Sequence, residues 1–165
     1  MLNQYSISTT EEGYNSFTTD FGLTYFLYFT GYYLKNSNGE DVVVMSLGFY
    51  HEPLIVENRK YDPKVKNTIL QIITDFFENN KEMSTIYICS TSDGYGRHRR
   101  ITFNKWYKEV DVPIEKFDCR EAQAKEGLYA SFFIRSDNQL KDYYVDAFYR
   151  SIDEYFPADN EYVAA

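Results

Sequence analysis

At 165 residues the chain has one domain's worth of sequence, enough to bury about two-thirds of its unfolded surface. Its net charge of -8 and pI near 4.8 repel nucleic acid and anionic membrane, which excludes general binding to either and favours a basic protein partner. Cys89 and Cys119 are too few for a disulfide scaffold, no apolar run approaches a membrane span, and the polar first ten residues do not read as a signal peptide; a cytoplasmic protein with reduced thiols is expected.

Residues 1–13 are polar and weakly patterned, with a short edge strand around residues 5–8 as the most that they support. A first clear strand covers residues 14–19 and stops at Asp20-Phe21-Gly22. A second covers residues 23–34, where Tyr25, Leu27 and Phe29 alternate with Phe26, Tyr28 and Tyr32. The turn Asn36-Ser37-Asn38-Gly39 signals a hairpin into a third strand at residues 41–50, and the short connections predict an antiparallel meander. After a loop containing Pro53, Asp62 and Pro63 supply an N-cap and a first-turn proline for a helix over residues 63–80. That helix buries Val65, Ile69, Ile72, Ile73, Phe76 and Phe77.

Residues 85–90 read as a central strand, because Ile86 and Ile88 face one side while Tyr87 and Cys89 face the other. Turn chemistry follows, and from about Arg97 the spacing becomes helical, with Phe103, Trp106, Tyr107 and Val110 on one face. Strands are expected at residues 114–120 and 128–135, then a helix over residues 139–156 capped by Ser136-Asp137-Asn138, with Leu140, Tyr144, Ala147, Phe148 and Tyr155 facing inward. The order β-β-β-α-β-α-β-β-α predicts an α+β fold, a mostly antiparallel sheet with the three helices largely on one face. The strand–helix–strand unit around residues 84–120 is where one parallel pair can enter. Residues 1–157 are read as a single domain and residues 158–165 as a flexible tail.

The sharpest local chemistry is a reversal of charge. Between Gly94 and Lys108 there is no acid, while Arg97, Arg99, Arg100, Lys105 and Lys108 are basic. A glycine turn between strand and helix aims free N–H groups and the positive helix end at one place, so Asp93, Gly94, Gly96, Arg97, His98, Arg99 and Arg100 form a candidate anion site. Asp93-Gly94-Tyr95-Gly96 is neither a P-loop nor a dinucleotide fingerprint. The alternative is an Asp93 helix cap with arginines paired to the chain's own carboxylates. His98, amid arginines, favours its neutral form and suits a base or a donor to phosphate, yet no orienting carboxylate or nucleophile motif accompanies it. The other histidine, His51, falls at the loop end of the third strand. The sequence carries no metal-ligand cluster and no cofactor motif, and no catalytic residue can be named. Trp106 at helical spacing reads as core, Asp142, Asp146, Asp153 and Glu154 as a solvated helix face. The chain's 17 Tyr and 13 Phe exceed what a core of this size needs, which leaves rings for the surface.

Two groups of residues also resemble a known family. The first is Tyr14, Phe17, Thr19, Asp20, Gly22 and Tyr25 with the helix end Phe76, Phe77 and Asn79; the second is the run from Ile86 to Cys89 with Asp93, Gly94, Arg99 or Arg100, Phe103 and Trp106. Together they are similar to an uncharacterised bacterial family, a domain of unknown function of about this length, over most of residues 14–156. The resemblance implies a bacterial, cytosolic protein and transfers no activity. The expected function is a non-catalytic binding or regulatory module that sequesters a partner protein, of a toxin-neutralising or phage-conflict type. The alternative is a nucleotide- or phosphate-binding enzyme with its site at the turn from Asp93 to Arg100.

Overall fold

The computed structural model describes residues 3–57, 60–90, 96–119 and 128–155, without the side chains of 89, 90, 96–100, 128 and 155. One sheet joins seven strands: β1 (Ser8–Thr9), β2 (Asn15–Thr18), β3 (Thr24–Lys35), β4 (Asp41–Glu52), β5 (Ser84–Ser90), β6 (Ile114–Asp118) and β7 (Leu128–Arg135). Among the described residues three helices connect or follow them: α1 (Pro63–Asn79), α2 (Gly96–Trp106), extended by a 3-10 turn at Tyr107–Glu109, and α3 (Lys141–Tyr155). The fold is α+β in the expected order, with β1 as a short edge strand just after the position read for it.

The meander forms for local reasons. In β3 and β4 twelve residue pairs face each other, from Thr24 opposite Glu52 to Lys35 opposite Asp41. Their turn is closed by Asn36, whose side-chain oxygen accepts from the N–H groups of Asn38 and Glu40, both at 2.9 Å, while Gly39 takes φ 76°. Asp62 caps α1 by accepting from the Lys64 N–H at 3.0 Å, with Pro63 in the first turn.

Strand order across the sheet is β1-β2-β3-β4-β5-β7-β6. Among the described residues the only parallel pair is β4 with β5, joined through α1, so the parallel step lies one unit earlier than the strand–helix–strand segment at residues 84–120. In that later segment β7 inserts between β5 and β6 and runs antiparallel to both. Burial of Ile86 and Tyr87 on opposite faces of β5 matches its interior place.

The helices divide between the two faces of the sheet, which corrects the expected one-sided arrangement. Adjacent strand residues point to opposite faces. Phe133 meets Tyr107, and Arg135 donates to the Phe77 carbonyl, so α1 and the end of α2 cover that face. Phe132 instead stacks on Phe148 of α3 at 5.2 Å. Ser151 of α3 then reaches β3, accepting from the Lys35 N–H at 2.7 Å. Leu140, expected inside, precedes the first turn of α3 and is exposed; Ser151 and Ile152 are buried in its place. Among the described residues no helix is long and apolar enough to cross a membrane.

Candidate functional site

A cleft of about 630 Å³ opens on the α1–α2 side of the sheet. Three stretches far apart in sequence build it: the β2–β3 turn with Phe21, the residues Val56, Glu57, Lys60 and Tyr61 leading into the first turns of α1, and the outer face of α2 from Ile101 to Trp106. Tyr25, which lines it, is backed by a ring stack. Tyr25 lies on Phe17 at 5.0 Å with planes 4° apart, and Phe17 lies on Tyr5 at 5.9 Å. Tyr5 is pinned from three directions: its N–H donates to Thr68 at 2.9 Å, its hydroxyl donates to Asp62 at 2.5 Å, and that hydroxyl accepts from the Asp20 N–H at 3.2 Å. Burial, followed by the bond to Asp62, pushes the Tyr5 phenol above its ordinary pKa, so it stays a donor at neutral pH.

The rim is apolar and exposed. Phe21 keeps 61% and Tyr61 76% of their surface in solvent, and Leu54 and Ile55, just before Val56, keep 75% and 87%. Large apolar side chains rarely gather in the open unless something covers them. Glu57, Lys60 and Lys105 add both signs of charge to the lining. Trp106, read from the sequence as core, is half-buried: one part packs with Phe103, ring centroids 6.0 Å apart, and another lines the cleft. Thr19 is engaged in the turn beside it, accepting from the N–H groups of Phe21 and Leu23. An ion pair from Lys66 to Glu109 at 2.9 Å ties α1 to the turn after α2, and the hydrogen bond to Glu109 raises the Lys66 pKa. The arrangement offers aromatic walls with a firm backing, which suits docking of a chain segment.

A second constellation lies between α2 and the β6–β7 pair. The ammonium of Lys116, its side chain 2% exposed, donates to Asn104 of α2 at 2.5 Å, to Tyr129 at 2.9 Å and to Asp118. Asp118 also accepts from Tyr129 at 2.8 Å and Ser131 at 2.7 Å. Burial alone would push the Asp118 carboxyl upward; the hydrogen bonds from Lys116, Ser131 and Tyr129 outweigh it and hold the carboxyl below the usual range. The register Asp118 opposite Ser131 explains why these groups meet on neighbouring strands. Their polar bonds fix α2 to the sheet through Asn104.

Of the residues singled out from sequence, Asp93 and Gly94 lie outside the described residues, as does the segment 158–165. Gly96, Arg97, His98, Arg99 and Arg100 fall in the first turns of α2, which starts where the spacing turned helical and has no acid in its first turn, but their side chains are not among those described. His51 belongs to β4 itself, its ring 5.2 Å from that of Tyr25. Cys119 is buried, and its sulfur accepts from the Ala130 N–H at 3.5 Å. Among the described residues no group of three or more His, Cys, Asp or Glu is placed to hold a metal.

Sequence reasoning missed the cleft because its three contributing stretches are remote from one another. One signal was available in Leu54-Ile55, an apolar pair in a loop that otherwise carries proline and charge. The Lys116 network was visible only as polar residues at alternate positions of two strands, Lys116 and Asp118, then Tyr129 and Ser131.

No curated protein and no solved structure matches the chain significantly. A family model described as a family of unknown function, DUF6169, matches residues 61–150, from the mouth of the cleft through α1, β5, α2 and the Lys116 network into α3, and the chain belongs to that family.

Proposed function

We infer that the chain is a non-catalytic binding module that takes a segment of a partner protein into the cleft between the β2–β3 turn, the residues Val56, Glu57, Lys60 and Tyr61 before α1, and α2. The observation that supports it is the exposure of Phe21 and Tyr61 in the lining of one concave surface of about 630 Å³, with exposed Leu54 and Ile55 directly before the lining residue Val56 in the chain. Aromatic side chains in such a place supply contact area at small entropic cost. The net charge of -8 favours a partner that is basic overall, with an apolar anchor for the cleft. Sequestration or regulation of that partner in the bacterial cytoplasm, as a toxin-neutralising or phage-conflict protein would do, is the role that fits an acidic module of this kind.

The test is stoichiometric copurification with the wild-type chain and with the triple variant Phe21→Ala, Ile55→Ala, Tyr61→Ala. A basic protein held one-to-one by the wild type and lost by the variant, at unchanged melting temperature, supports this function. A partner retained by the variant would place binding elsewhere.

A second reading is favoured by one further observation, the start of α2 directly after β5 with Arg97, Arg99 and Arg100 and no acid in its first turn. An anionic ligand such as a nucleotide would bind there. Copurified nucleotide absorbance, lost in the variant Arg97→Ala, Arg99→Ala, Arg100→Ala, would establish it over the first.

A further inference from the structure

On the sheet face away from the cleft, four rings of the meander form a continuous surface. Residues Tyr14, Phe26, Tyr28 and Tyr50 point to the face opposite Phe17 and Tyr25, because they occupy the alternate positions of β2–β4 and the residue before β2. Phe26 stacks on Tyr50 with centroids 4.9 Å apart, Tyr14 packs on Tyr28 at 4.9 Å, and Tyr28 meets Tyr50 at 6.4 Å. Gly48 makes room for this arrangement. A Cβ at residue 48 would lie 2.3 Å from the Tyr28 ring, so the phenol end of Tyr28 occupies the place a side chain would take. The rings are half-buried by one another, with Tyr50 the most exposed. Helix α3 covers the same face only farther along, where Ser151 meets Lys35 and Phe148 meets Phe132.

The segment that builds this surface is acidic. Residues 1–58 carry seven carboxylates and a single basic side chain, Lys35, at the far end of β3. Glu12 and Glu52 lie within electrostatic reach of Tyr50. Glu52 closes β4 opposite Thr24, one alternation along the same face from the Phe26–Tyr50 pair. Faces of aromatic rings attract cations, and carboxylates at their margin strengthen the attraction while excluding anions.

We propose that Tyr14, Phe26, Tyr28 and Tyr50, with Glu12 and Glu52 at their margin, form a docking surface for arginine or lysine side chains of a basic protein segment. Guanidinium groups stack on the rings and their charge is met by the carboxylates. This surface is separate from the cleft, on the other side of the sheet, and does not depend on what the cleft binds.

The test uses three terminally blocked octapeptides, alternating glycine with arginine, lysine or glutamate, titrated into the full-length chain and followed by the ring resonances of the four aromatic residues. The expected result is saturable shifts of these rings with the arginine peptide, weaker shifts with the lysine peptide and none with the glutamate peptide. Tyr50→Ala and Glu52→Gln should each weaken arginine-peptide binding roughly threefold to tenfold. Gly48→Ala provides a check that leaves every ring and charge in the chain: it displaces Tyr28 and should weaken binding while the melting transition stays cooperative. The proposal is overturned if the arginine peptide shifts none of these rings, if the glutamate peptide shifts them equally, or if affinity falls with salt yet is the same in Tyr50→Ala and Gly48→Ala. That last result would mean attraction by net charge alone.

Discussion

The meander of β1–β4 and the remainder of the chain solve the packing problem differently. The meander is local: each strand pairs with the one before it, and seven of the chain's 25 acids against one of its 17 bases lie in residues 1–58. The rest is non-local, with a parallel step, an inserted strand and nearly balanced charge. In the meander an outer face of β2–β4 is left to tyrosines, whereas β7 is buried on both faces, Phe132 under α3 and Phe133 under the turn after α2. The second region thus covers a strand on both faces, where the first leaves an aromatic face open to solvent. Substitutions can test that division.

The largest effect is expected at β7. Phe132 is fully buried against Phe148, and Phe132→Ala should cost about 3–5 kcal/mol in urea-induced unfolding. Tyr50→Ala, an equally large ring truncation in the meander, should cost far less. Equal losses would break the comparison.

The next effect is at Lys116. Its removal leaves Asp118 and Tyr129 without their shared donor, and Lys116→Ala should destabilise by about 1–3 kcal/mol. The same network makes a prediction about pH. Because the folded-state pKa of Asp118 is depressed, its contribution to stability is present above the unfolded aspartate value of about 3.9 and is lost as pH falls through the lower folded value. Asp118→Asn should therefore flatten the acid limb of the stability–pH curve. A curve unchanged in that variant would show that the carboxylate adds nothing to acid stability.

A smaller loss, about 1 kcal/mol, is expected for Asp62→Ala, which removes the α1 cap and the acceptor of the Tyr5 hydroxyl. Melting curves of Asp62→Ala and Asp62→Asn separate the two contributions. Asparagine keeps a capping oxygen without the charge, so it should recover most of the loss.

Much of the fold was legible in the sequence wherever the information is local. Alternating apolar residues located β3, β4 and β5, Asn36 to Gly39 marked the hairpin, and Asp62-Pro63 marked the start of α1. What could not be read is what depends on partners distant in sequence. A strand such as β7, apolar on both faces, does not say which helix covers which side, so α3 was assigned to the wrong face. Nor does the order of elements say that β7 inserts between β5 and β6. Trp106 obeys the helical spacing of a core residue and also lines a cleft, because the spacing records which face it occupies but not where that face ends. The candidate site at Asp93 to Arg100 rests on a glycine turn before a helix and on a run of bases, and such a pattern along the chain marks a stretch without specifying its shape.

The insertion of β7 has a consequence for the order of events during synthesis. The meander can pair as soon as it leaves the ribosome, since each strand's neighbour has just preceded it. Strand β5 can dock on β4 once α1 has formed, but its other edge stays open until α2, β6 and the connection to β7 have all been made. An unpaired, two-sided apolar strand is a template for pairing with other chains. Folding of this protein should thus be slow in its final step and sensitive to concentration, with β5 as the segment through which incomplete chains associate.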